Sequence, residues 1–591
     1  MELGRWLIHA CTISIVLLLH INASLSLGHH HANLTARCLE RERDALLAIK
    51  GDLVDEYNLL SSWGSEDCCR WERVHCDPHT GHVIQLHLGG VWLGEYISKT
   101  FQGEISPKII ELQYLEYLDL SHNFFNATQI PALICSLSNL RHLDLHFNPL
   151  IGSKIPKLIG NLTNLRYLDL SWNSLGDETP VPYHQLGNLT RLQYLNLRHT
   201  YHTHVVENLN WLPHLSSLKY LDLSWTNLSK AFDWLDTVNK LPNLRNLTLN
   251  GCDLPPPILS TLSHINSSNS LVSVDLSGNV VTSSIFKWLC NYNTTLVYLD
   301  LSSTQLSGLI PDVFINMRSL KSLYLSSNQL SGSNPDVFRN MSSLEFLSLS
   351  YNQLSGLGPN TFANMSSLAY LDLSSNQLSG LNPNAFANMS SLAGLDLSFN
   401  QLSGLNPNTF ANMSSLASLD LSSNQLSGLN PNAFANMSSL AGLDLSFNQL
   451  SGLNPNTFAN MSSLAYLDLS YNPLELGEIP TFIAQLCSLQ HLSMLGCNLT
   501  GQLSESVQRW STCPQNPIQS LDLSNNDLAG SFPNFTNFSS LKKLYLSRNM
   551  LTGMVPDSIG KLSSLRSLFV DENQLRWSIP ESIGELSRLQ Y

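Results

Sequence analysis

The sequence contains a long internal duplication. Residues 376–423 and 424–471 match at 46 of 48 positions and differ only at Ser418/Tyr466 and Ser423/Tyr471. Two copies of a segment meet the same neighbours on both sides only if the copies are stacked in a row, as in a solenoid. A single coil leaves its apolar face exposed to water, so the duplication predicts one long stack rather than several globular domains.

The repeating unit has the pattern L-x-x-L-x-L-x-x-N, seen at Leu368, Leu371, Leu373 and Asn376. The L-x-L alternation predicts a short strand with one buried face. The Asn closes each coil. Because buried polar groups are hydrogen-bonded, we expect its amide to bond to backbone groups of the turn and of the next coil.

The same pattern runs along nearly the whole chain. A degenerate first copy lies at residues 83–91, and Thr or Cys takes the closing position at Thr200, Thr226, Thr304, Cys252 and Cys497. The predicted fold class is an α/β solenoid, the leucine-rich-repeat type. It is a curved horseshoe or superhelix of about 20 coils, with a parallel β-sheet on the concave face and a disulfide-stapled cap at the N-terminus.

The N-terminus has the features of a secretory signal peptide. Arg5 supplies the positive charge, residues 13–19 form the apolar run, and the small residues from Ala23 to Gly28 offer cleavage points. We expect a signal peptide over residues 1–28, a cap over residues 29–82 and repeats over residues 83–591. The net charge of −14 argues against a nucleic-acid partner, which needs a basic face.

A secreted chain exposes its cysteines to oxidising conditions. Four cysteines lie close together in the cap, and their simplest pairing is Cys38–Cys68 with Cys69–Cys76. A zinc site is the alternative, but the cap has no paired C-x-x-C motifs. Cys252 and Cys497 are predicted to be buried thiols. The pairing of the others stays open, with Cys487–Cys513 one option among Cys135, Cys290, Cys487 and Cys513.

Seventeen N-glycosylation sequons lie beyond the signal peptide. Six of them recur every 24 residues from Asn340 to Asn460. Their glycans would be about 5 Å apart on one flank, so we do not expect all six to be filled. The set is Asn33, Asn126, Asn161, Asn188, Asn227, Asn246, Asn266, Asn293, Asn340, Asn364, Asn388, Asn412, Asn436, Asn460, Asn498, Asn534 and Asn537.

The cap resembles that of the plant leucine-rich-repeat receptor-like proteins, which are extracellular immune and developmental receptors without a kinase domain. CLERERDALLAIK at 38–50 and the segment to HVIQLHL at 82–88 carry the resemblance, together with turns such as GEIP at 477–480 and GMVP at 553–556. Arg73 departs from the family, which commonly has Gly there. The near-identical 24-residue coils of residues 352–472, which we call the central block, also depart from the family. Most of them have Asn-Pro where the family has Ile-Pro. A buried phenylalanine stack is predicted there at Phe362, Phe386, Phe410, Phe434 and Phe458.

The resemblance implies recognition of a peptide, microbial or cell-wall-derived ligand, with signalling through a co-receptor kinase. The last residues, ELSRLQY, begin another strand pattern. We therefore expect either part of a longer receptor of the plasma membrane or a truncated product that enters the secretory pathway and is released to the extracellular space. Two alternatives remain: a secreted inhibitor of a cell-wall-degrading enzyme, and a truncated gene copy without function.

The sequence predicts neither an enzyme nor a cofactor. It contains no Walker loop, G-x-S-x-G or H-E-x-x-H motif. The run His29-His30-His31 is interpreted as a solvated tail rather than a metal site. Asp recurs at the middle strand position. We interpret this row as an acidic stripe set by the LDLS repeat rather than as paired catalytic carboxylates.

The outward strand positions of the N-terminal coils carry large aromatic residues, which indicate a recognition surface, although such residues suit strand faces generally. Rings about 4.8 Å apart would form a continuous apolar strip. Neighbouring carboxylates favour a ligand with apolar and basic groups, such as an extended peptide. A glycan on Asn246 would end the strip. The predicted ligand-binding set is Tyr117, His142, Tyr167, Trp172, Tyr194, Tyr220 and Trp225, beside Asp119, Asp144, Asp169 and Asp222.

Overall fold

The computed structural model describes most of the chain beyond residue 35. The described ranges are 36–92, 98–125, 132–148, 155–173, 183–200, 205–258, 271–334, 337–338, 341–358, 361–362, 365–382, 385–386, 389–406, 409–410, 413–434, 437–458, 461–475, 477–510, 513, 516–576 and 579–591. The predicted signal peptide, the tail at His29–His31 and nine of the seventeen sequons lie outside these residues.

Each coil contributes one short strand to a single long sheet, which we call the concave sheet. Its strands are parallel and in register, so that Leu118 pairs with Leu143 and Leu143 with Leu168. Twenty parallel strands in the described residues confirm the prediction of about 20 coils. They are Val83–His87, Tyr117–Asp119, His142–Asp144, Tyr167–Asp169, Tyr194–Asn196, Tyr220–Asp222, Asn246–Thr248, Ser273–Asp275, Tyr298–Asp300, Ser322–Tyr324, Phe346–Ser348, Tyr370–Asp372, Gly394–Asp396, Ser418–Asp420, Gly442–Asp444, Tyr466–Asp468, His491–Ser493, Ser520–Asp522, Lys543–Tyr545 and Ser567–Phe569.

The strands are short because only their central residue points into the core. Leu371, at the centre of Tyr370–Asp372, is fully buried, and the residues on either side of it are partly exposed on the concave face. Leu373 and Leu378 continue the same core beyond the strand. The predicted alternation of buried and exposed residues along each strand is therefore confirmed. Because the coils are stacked, the Leu residues at each position of the repeat form a buried column.

The closing Asn joins neighbouring coils. The Nδ2 of Asn376 donates to the carbonyls of Leu373 and Ser374 in its own turn and to that of Leu349, 3.0 Å away in the coil before. The N–H of Leu354 donates to its Oδ1 at 3.0 Å. The prediction that the partners lie in the next coil was wrong. The carbonyl of Leu349 lies one residue beyond the strand Phe346–Ser348, and the N–H of Leu354 lies in the edge strand Gln353–Leu357. The following Asn reaches back to both groups.

The convex side is built mainly from 3₁₀ turns, with few α-helices. The described α-helices are Glu40–Asp52, Tyr183–Leu186, Trp234–Asn239, Phe286–Leu289 and Leu503–Trp510. The 3₁₀ helices are Cys68–Arg70, Pro107–Glu111, Ala132–Ser136, Lys157–Asn161, Leu212–His214, Ser283–Ile285, Cys290–Tyr292, Asp312–Asn316, Pro431–Phe434, Pro455–Phe458, Thr481–Gln485, Asp557–Lys561 and Glu581–Glu585. Coils of about 24 residues leave too little chain for a long helix opposite each strand.

Two-stranded and three-stranded ribbons lie along the edges of the stack. Ser307–Gly308, Gln329–Asn334 and Gln353–Leu357 pair in parallel, as do Ala529–Ser531, Met550–Gly553 and Gln574–Leu575. Near the cap, Leu53–Val54 pairs with Gln102–Gly103, which pairs in turn with Phe124–Phe125, and Val91–Trp92 pairs with Ser98–Lys99.

A column of phenylalanines fills the core of the central block. Phe362, Phe386 and Phe410 are buried, and successive ring centroids in this column lie 6.0 and 6.2 Å apart. The rings of Phe410 and Phe434 follow at 5.9 Å. Phe458 is buried against Phe482, with centroids 4.8 Å apart. The predicted phenylalanine stack is thus a core feature of these coils.

The cap closes the N-terminal end of the stack. Cys38–Cys68 and Cys69–Cys76 are disulfide-bonded, as predicted. The cap strand Val74–Cys76 pairs antiparallel with Val83–His87, which makes the first coil continuous with the cap. Glu42, on the cap helix, is buried and accepts the N–H of Val83 at 2.7 Å.

Arg73 takes the position at which the family commonly has Gly. Its φ is +70°, in the left-handed region that disfavours residues with a Cβ. The guanidinium donates to the carbonyl of Gly89 at 2.8 Å and to that of His87 at 3.2 Å, and it lies 5.6 Å from the centre of the Phe101 ring. These contacts offset the backbone strain that Gly would avoid.

The remaining cysteines fall into two groups. Cys487 and Cys513 form a third disulfide. Cys252 and Cys497 are buried at closing positions, as predicted, and each thiol donates to a carbonyl of the preceding coil at 3.1 Å. Cys135 is a buried thiol and Cys290 an exposed one. Among the described residues, none of the helices combines the length and the apolar character needed to cross a bilayer.

Candidate functional site on the concave face

Five rings are stacked along the first outward position of consecutive strands. We call this column the tyrosine stack: Tyr117, His142, Tyr167, Tyr194 and Tyr220. Strand pairing places each residue directly beside the next. Successive centroids lie 4.0, 4.0, 4.2 and 4.3 Å apart, and the ring planes are within 13° of parallel. Five of the seven predicted ligand-binding residues therefore form one continuous column.

The tyrosine stack presents ring edges rather than ring faces. The centroid spacing is shorter than the strand spacing of about 4.8 Å, so each face is covered by the neighbouring ring. The hydroxyl of Tyr194 turns toward the carboxylate row and donates to Oδ2 of Asp169 at 3.3 Å. Burial, followed by the charges of Asp119 and Asp144, raises the pKa of Tyr117. A ligand would meet ring edges and neutral hydroxyls.

A second column lies where each strand turns toward the closing position. We call it the outer row: His122, Phe147, Trp172, His199 and Trp225. All five have φ between +51° and +64°. Trp172 and Trp225 are 47% and 46% exposed, and the ring of His199 lies between them, 4.3 and 5.1 Å from their centroids. The two predicted tryptophans thus belong to a different column from the other five residues.

Four residues outside the predicted set share this surface, the first of them His122 at the start of the outer row. Phe147 and His199 complete the outer row, and the Arg198 guanidinium lies 5.6 Å from the centre of the Trp172 ring. The sequence signal for the outer row is positional. Its members immediately precede the closing residue of each coil, so the same spacing identifies the whole column.

A row of carboxylates lies between the two columns. Asp119, Asp144 and Asp169 occupy the same position on adjacent strands, and Asp222 follows beyond Asn196. The N–H and hydroxyl of Ser171 both donate to Asp169, at 2.9 and 2.6 Å. Burial raises the pKa of Asp222 to about 6. The negative charge of this row is therefore reduced at mildly acidic pH.

A second group of rings lies further along the concave sheet. Tyr298, Tyr324, Phe346 and Tyr370 follow one another at centroid distances of 5.5, 4.7 and 5.1 Å. Asn246 and Ser273 separate it from the tyrosine stack, since Tyr220 pairs with Asn246 and Ser273 with Tyr298. None of these four residues is in the predicted ligand-binding set. Aromatic residues at the first outward strand position identify Tyr298, Phe346 and Tyr370, but not Tyr324, which occupies the position of the strand Asp beside Asp300 and Ser348.

Eight of the predicted glycosylation sites are described. Asn161, Asn188, Asn498, Asn534 and Asn537 are exposed, whereas Asn227, Asn246 and Asn293 are half-buried. The side chain of Asn246 lies on the concave sheet itself, at the end of the tyrosine stack. The other nine, including the six from Asn340 to Asn460, lie outside the described residues.

Family models describe nearly the whole chain beyond the predicted signal peptide. The leucine rich repeat model matches residues 269–330, 294–354, 347–402, 366–426, 390–450, 416–474, 442–499 and 516–575. The leucine-rich repeat region matches 95–276, and the leucine rich repeat N-terminal domain matches 39–77. The chain therefore belongs to the leucine-rich-repeat proteins, and it is similar to plant receptor-like proteins.

One such relative is the receptor-like protein EIX1 of Solanum lycopersicum. It is 33% identical over 319 residues, which are 52% of this chain and 27% of EIX1. The matched region is thus about a quarter of the length of that relative. The chain also resembles the ectodomain of the Arabidopsis receptor kinase HAESA bound to an IDA peptide hormone, with 30% identity, a TM-score of 0.62 and coverage of 93% and 92% of the two chains. HAESA with IDA and the co-receptor SERK1 matches at 28% identity and the same TM-score and coverage.

Proposed function

We propose that this chain is the extracellular ligand-recognition region of a plant receptor-like protein in defence or developmental signalling. It binds an extended peptide along the N-terminal concave face and signals through a partner receptor kinase. The observation that carries the proposal is the pair of aromatic columns, the tyrosine stack and the outer row, running side by side across five strands. A groove with aromatic edges on one side and exposed indoles on the other suits an apolar, extended chain.

The charge of the groove supports a ligand that also carries basic groups. Asp119, Asp144 and Asp169 lie along its floor, and Arg198 is placed at the outer row. Burial and then the charge of Asp144 raise the pKa of Asp119, so the attraction for a basic group weakens as the pH falls. The HAESA complexes, with a peptide hormone and with SERK1, support a peptide ligand and a co-receptor kinase as partners. The site of action is the cell surface or the extracellular space.

The test is calorimetric titration of the secreted protein with a panel of synthetic peptides that combine apolar residues with Lys or Arg. Trp172→Ala and Trp225→Ala should each weaken binding of a peptide that the wild type binds by ~2 kcal/mol or more, as truncation of a hot-spot tryptophan does. Phe399→Ala is the matched control. Phe399 has φ of +52° at the same coil position and is 55% exposed, but it lies in the central block.

Two results would contradict the proposal. One is unchanged peptide affinity in both Trp variants while their melting temperatures remain normal. The other is an equal loss of affinity in Phe399→Ala, which would place the peptide on the central coils.

A further inference from the structure

One rung of the concave sheet departs from the repeat in a way that the peptide groove does not explain. In most coils that have a strand Asp, a Ser follows it by two residues and donates its hydroxyl to the carboxylate, as in Asp119/Ser121, Asp169/Ser171 and Asp222/Ser224. At the third strand of the concave sheet His146 takes this place. Its Nδ1 lies 2.7 Å from Oδ1 of Asp144. An imidazole nitrogen, which is a common metal ligand, thus replaces a hydroxyl within the carboxylate row.

A second carboxylate converges on the same point. Asp144, His146 and Asp169 each offer a potential ligand atom, and the three atoms lie within 4.8 Å of one another. Asp169 is held in place by Ser171 and by Nδ2 of Asn196, 3.0 Å from its Oδ2. The cluster is largely buried between the tyrosine stack and the outer row. Imidazole nitrogen with carboxylate oxygens is a ligand set for Zn²⁺ and similar transition-metal dications, whereas Ca²⁺ and Mg²⁺ prefer oxygen alone.

The other ring nitrogen of His146 has the partner that a metal-binding histidine needs. Its Nε2 lies 2.9 Å from Nε2 of His122 on the preceding rung. A ligating histidine typically donates its second N–H to an acceptor that fixes its tautomer and orientation. At 2.7 Å, Nδ1 of His146 donates to Oδ1 of Asp144. With His122 accepting from Nε2, an ion that replaces the Nδ1 proton would meet the Nδ1 lone pair on the side of the carboxylates. The replacement of Ser by His and the placement of His122 are separate features that agree.

We propose that Asp144, His146 and Asp169 form a binding site for a Zn²⁺-type dication on the concave face, with His122 as the residue that positions His146. The ion would offset the like charges of Asp119, Asp144 and Asp169 on three adjacent strands. It would also join the third and fourth strands of the concave sheet, below the proposed peptide site. This site stands independently of the peptide-binding proposal.

Titration of the full-length secreted protein with ZnCl₂ by calorimetry tests the site, with CaCl₂ as the second probe. His146→Ser restores the Asp-x-Ser arrangement of the neighbouring rungs, so the fold should be kept. We expect a zinc binding event that loses at least tenfold in affinity in this variant, and a zinc-induced rise in melting temperature that disappears with it. His491→Ser is the matched control, because His491 lies on the same sheet at the outward position beside Tyr466.

The run His29–His31 is present in wild type and variants alike, so any zinc bound there cancels in the comparison. Equal zinc affinity in wild type and His146→Ser would overturn the proposal. So would a stabilising response to calcium with none to zinc, since that would indicate an oxygen-only site.

Discussion

The rings of Tyr167 and Tyr194 lie parallel, with centroids 4.2 Å apart and planes within 10°. Tyr194 makes an equivalent contact with Tyr220 on its other side, at 4.3 Å. A ring in the middle of the stack therefore supports two strands at once, and its loss should be felt on both neighbours.

Replacing Tyr194 with Ala should remove two ring contacts, at a cost of ~1–3 kcal/mol for stacked pairs worth ~0.5–1.5 kcal/mol each. Tyr194→Phe keeps both ring contacts and loses only the hydrogen bonds of the hydroxyl, with Asp169 and with the neighbouring tyrosines, so it should be less affected than the Ala variant. Hydrogen exchange of Tyr167–Asp169 and Tyr220–Asp222 is the best readout, because a long solenoid need not unfold in one step. Equal loss of protection in the Ala and Phe variants would show that stacking is not the source of the effect.

Asp396, on the strand Gly394–Asp396 of the concave sheet, should make the stability of the protein depend on pH. Burial, and then the charge of Asp420, raise the pKa of Asp396 to about 7, above its unfolded value of 3.8. When the pKa of a carboxyl group is higher in the folded state, its contribution to stability is complete at pH values below the unfolded-state pKa. That contribution is lost as the pH rises through the folded-state pKa. The free energy of unfolding should therefore fall between pH 4 and 7.

Asp396→Asn isolates that effect. Asn196 occupies the same position in another coil and accepts the N–H of Arg198 at 3.0 Å, so an amide fits there. The variant should be more stable than wild type at pH 8, by on the order of 2 kcal/mol for a shift of a few pKa units, and nearly equal to it at pH 4. Melting at both pH values checks this. A variant that is less stable at pH 8 would indicate that the carboxylate is favourable there.

Two variants at Arg73 can separate the cost of backbone strain from the stabilisation that the side-chain contacts provide. Arg73→Ala loses the donors to His87 and Gly89 while keeping a Cβ at positive φ, whereas Arg73→Gly loses the donors but relieves the strain. The Gly variant should be more stable than the Ala variant by ~1 kcal/mol. Thermal melting of the two proteins decides it. Identical melting temperatures would mean that φ at this position costs nothing.

The near-identical coils should be removable in units. Deleting residues 424–471 brings Asn472 into the place of Asn424, and each of these residues makes the same bonds to the coil before it. The shortened protein should fold, with a circular dichroism spectrum like that of wild type and a melting temperature within a few degrees. An unfolded product would show that coupling extends beyond nearest neighbours.

The repeat pattern predicted the architecture because one buried Leu per strand and one closing Asn per coil are dictated by composition at fixed spacing. The simplest pairing of the four cap cysteines predicted the two cap disulfides, and the outward strand positions predicted the column of adjacent rings that is the tyrosine stack. The repeat pattern did not predict that the Asn reaches backward, since spacing carries no direction. Of the outer row, only Trp172 and Trp225 were included in the predicted set, although position alone, immediately before the closing residue, marks Phe147 and His199 as members of the same column. The cluster around His146 was missed because its partners come from adjacent rungs.

Because each closing amide bonds to the coil before it, the coils have a preferred order of assembly. Asn376 finds its acceptor at Leu349 and its donor at Leu354 in chain that has already been synthesised. Each arriving coil can thus dock on a finished template, beginning at the cap and advancing in the order in which the ribosome delivers the polypeptide. For coils as alike as those of residues 376–471, docking surfaces alone cannot tell one copy from another. The order in which the coils leave the ribosome would then determine the position of each copy in the stack.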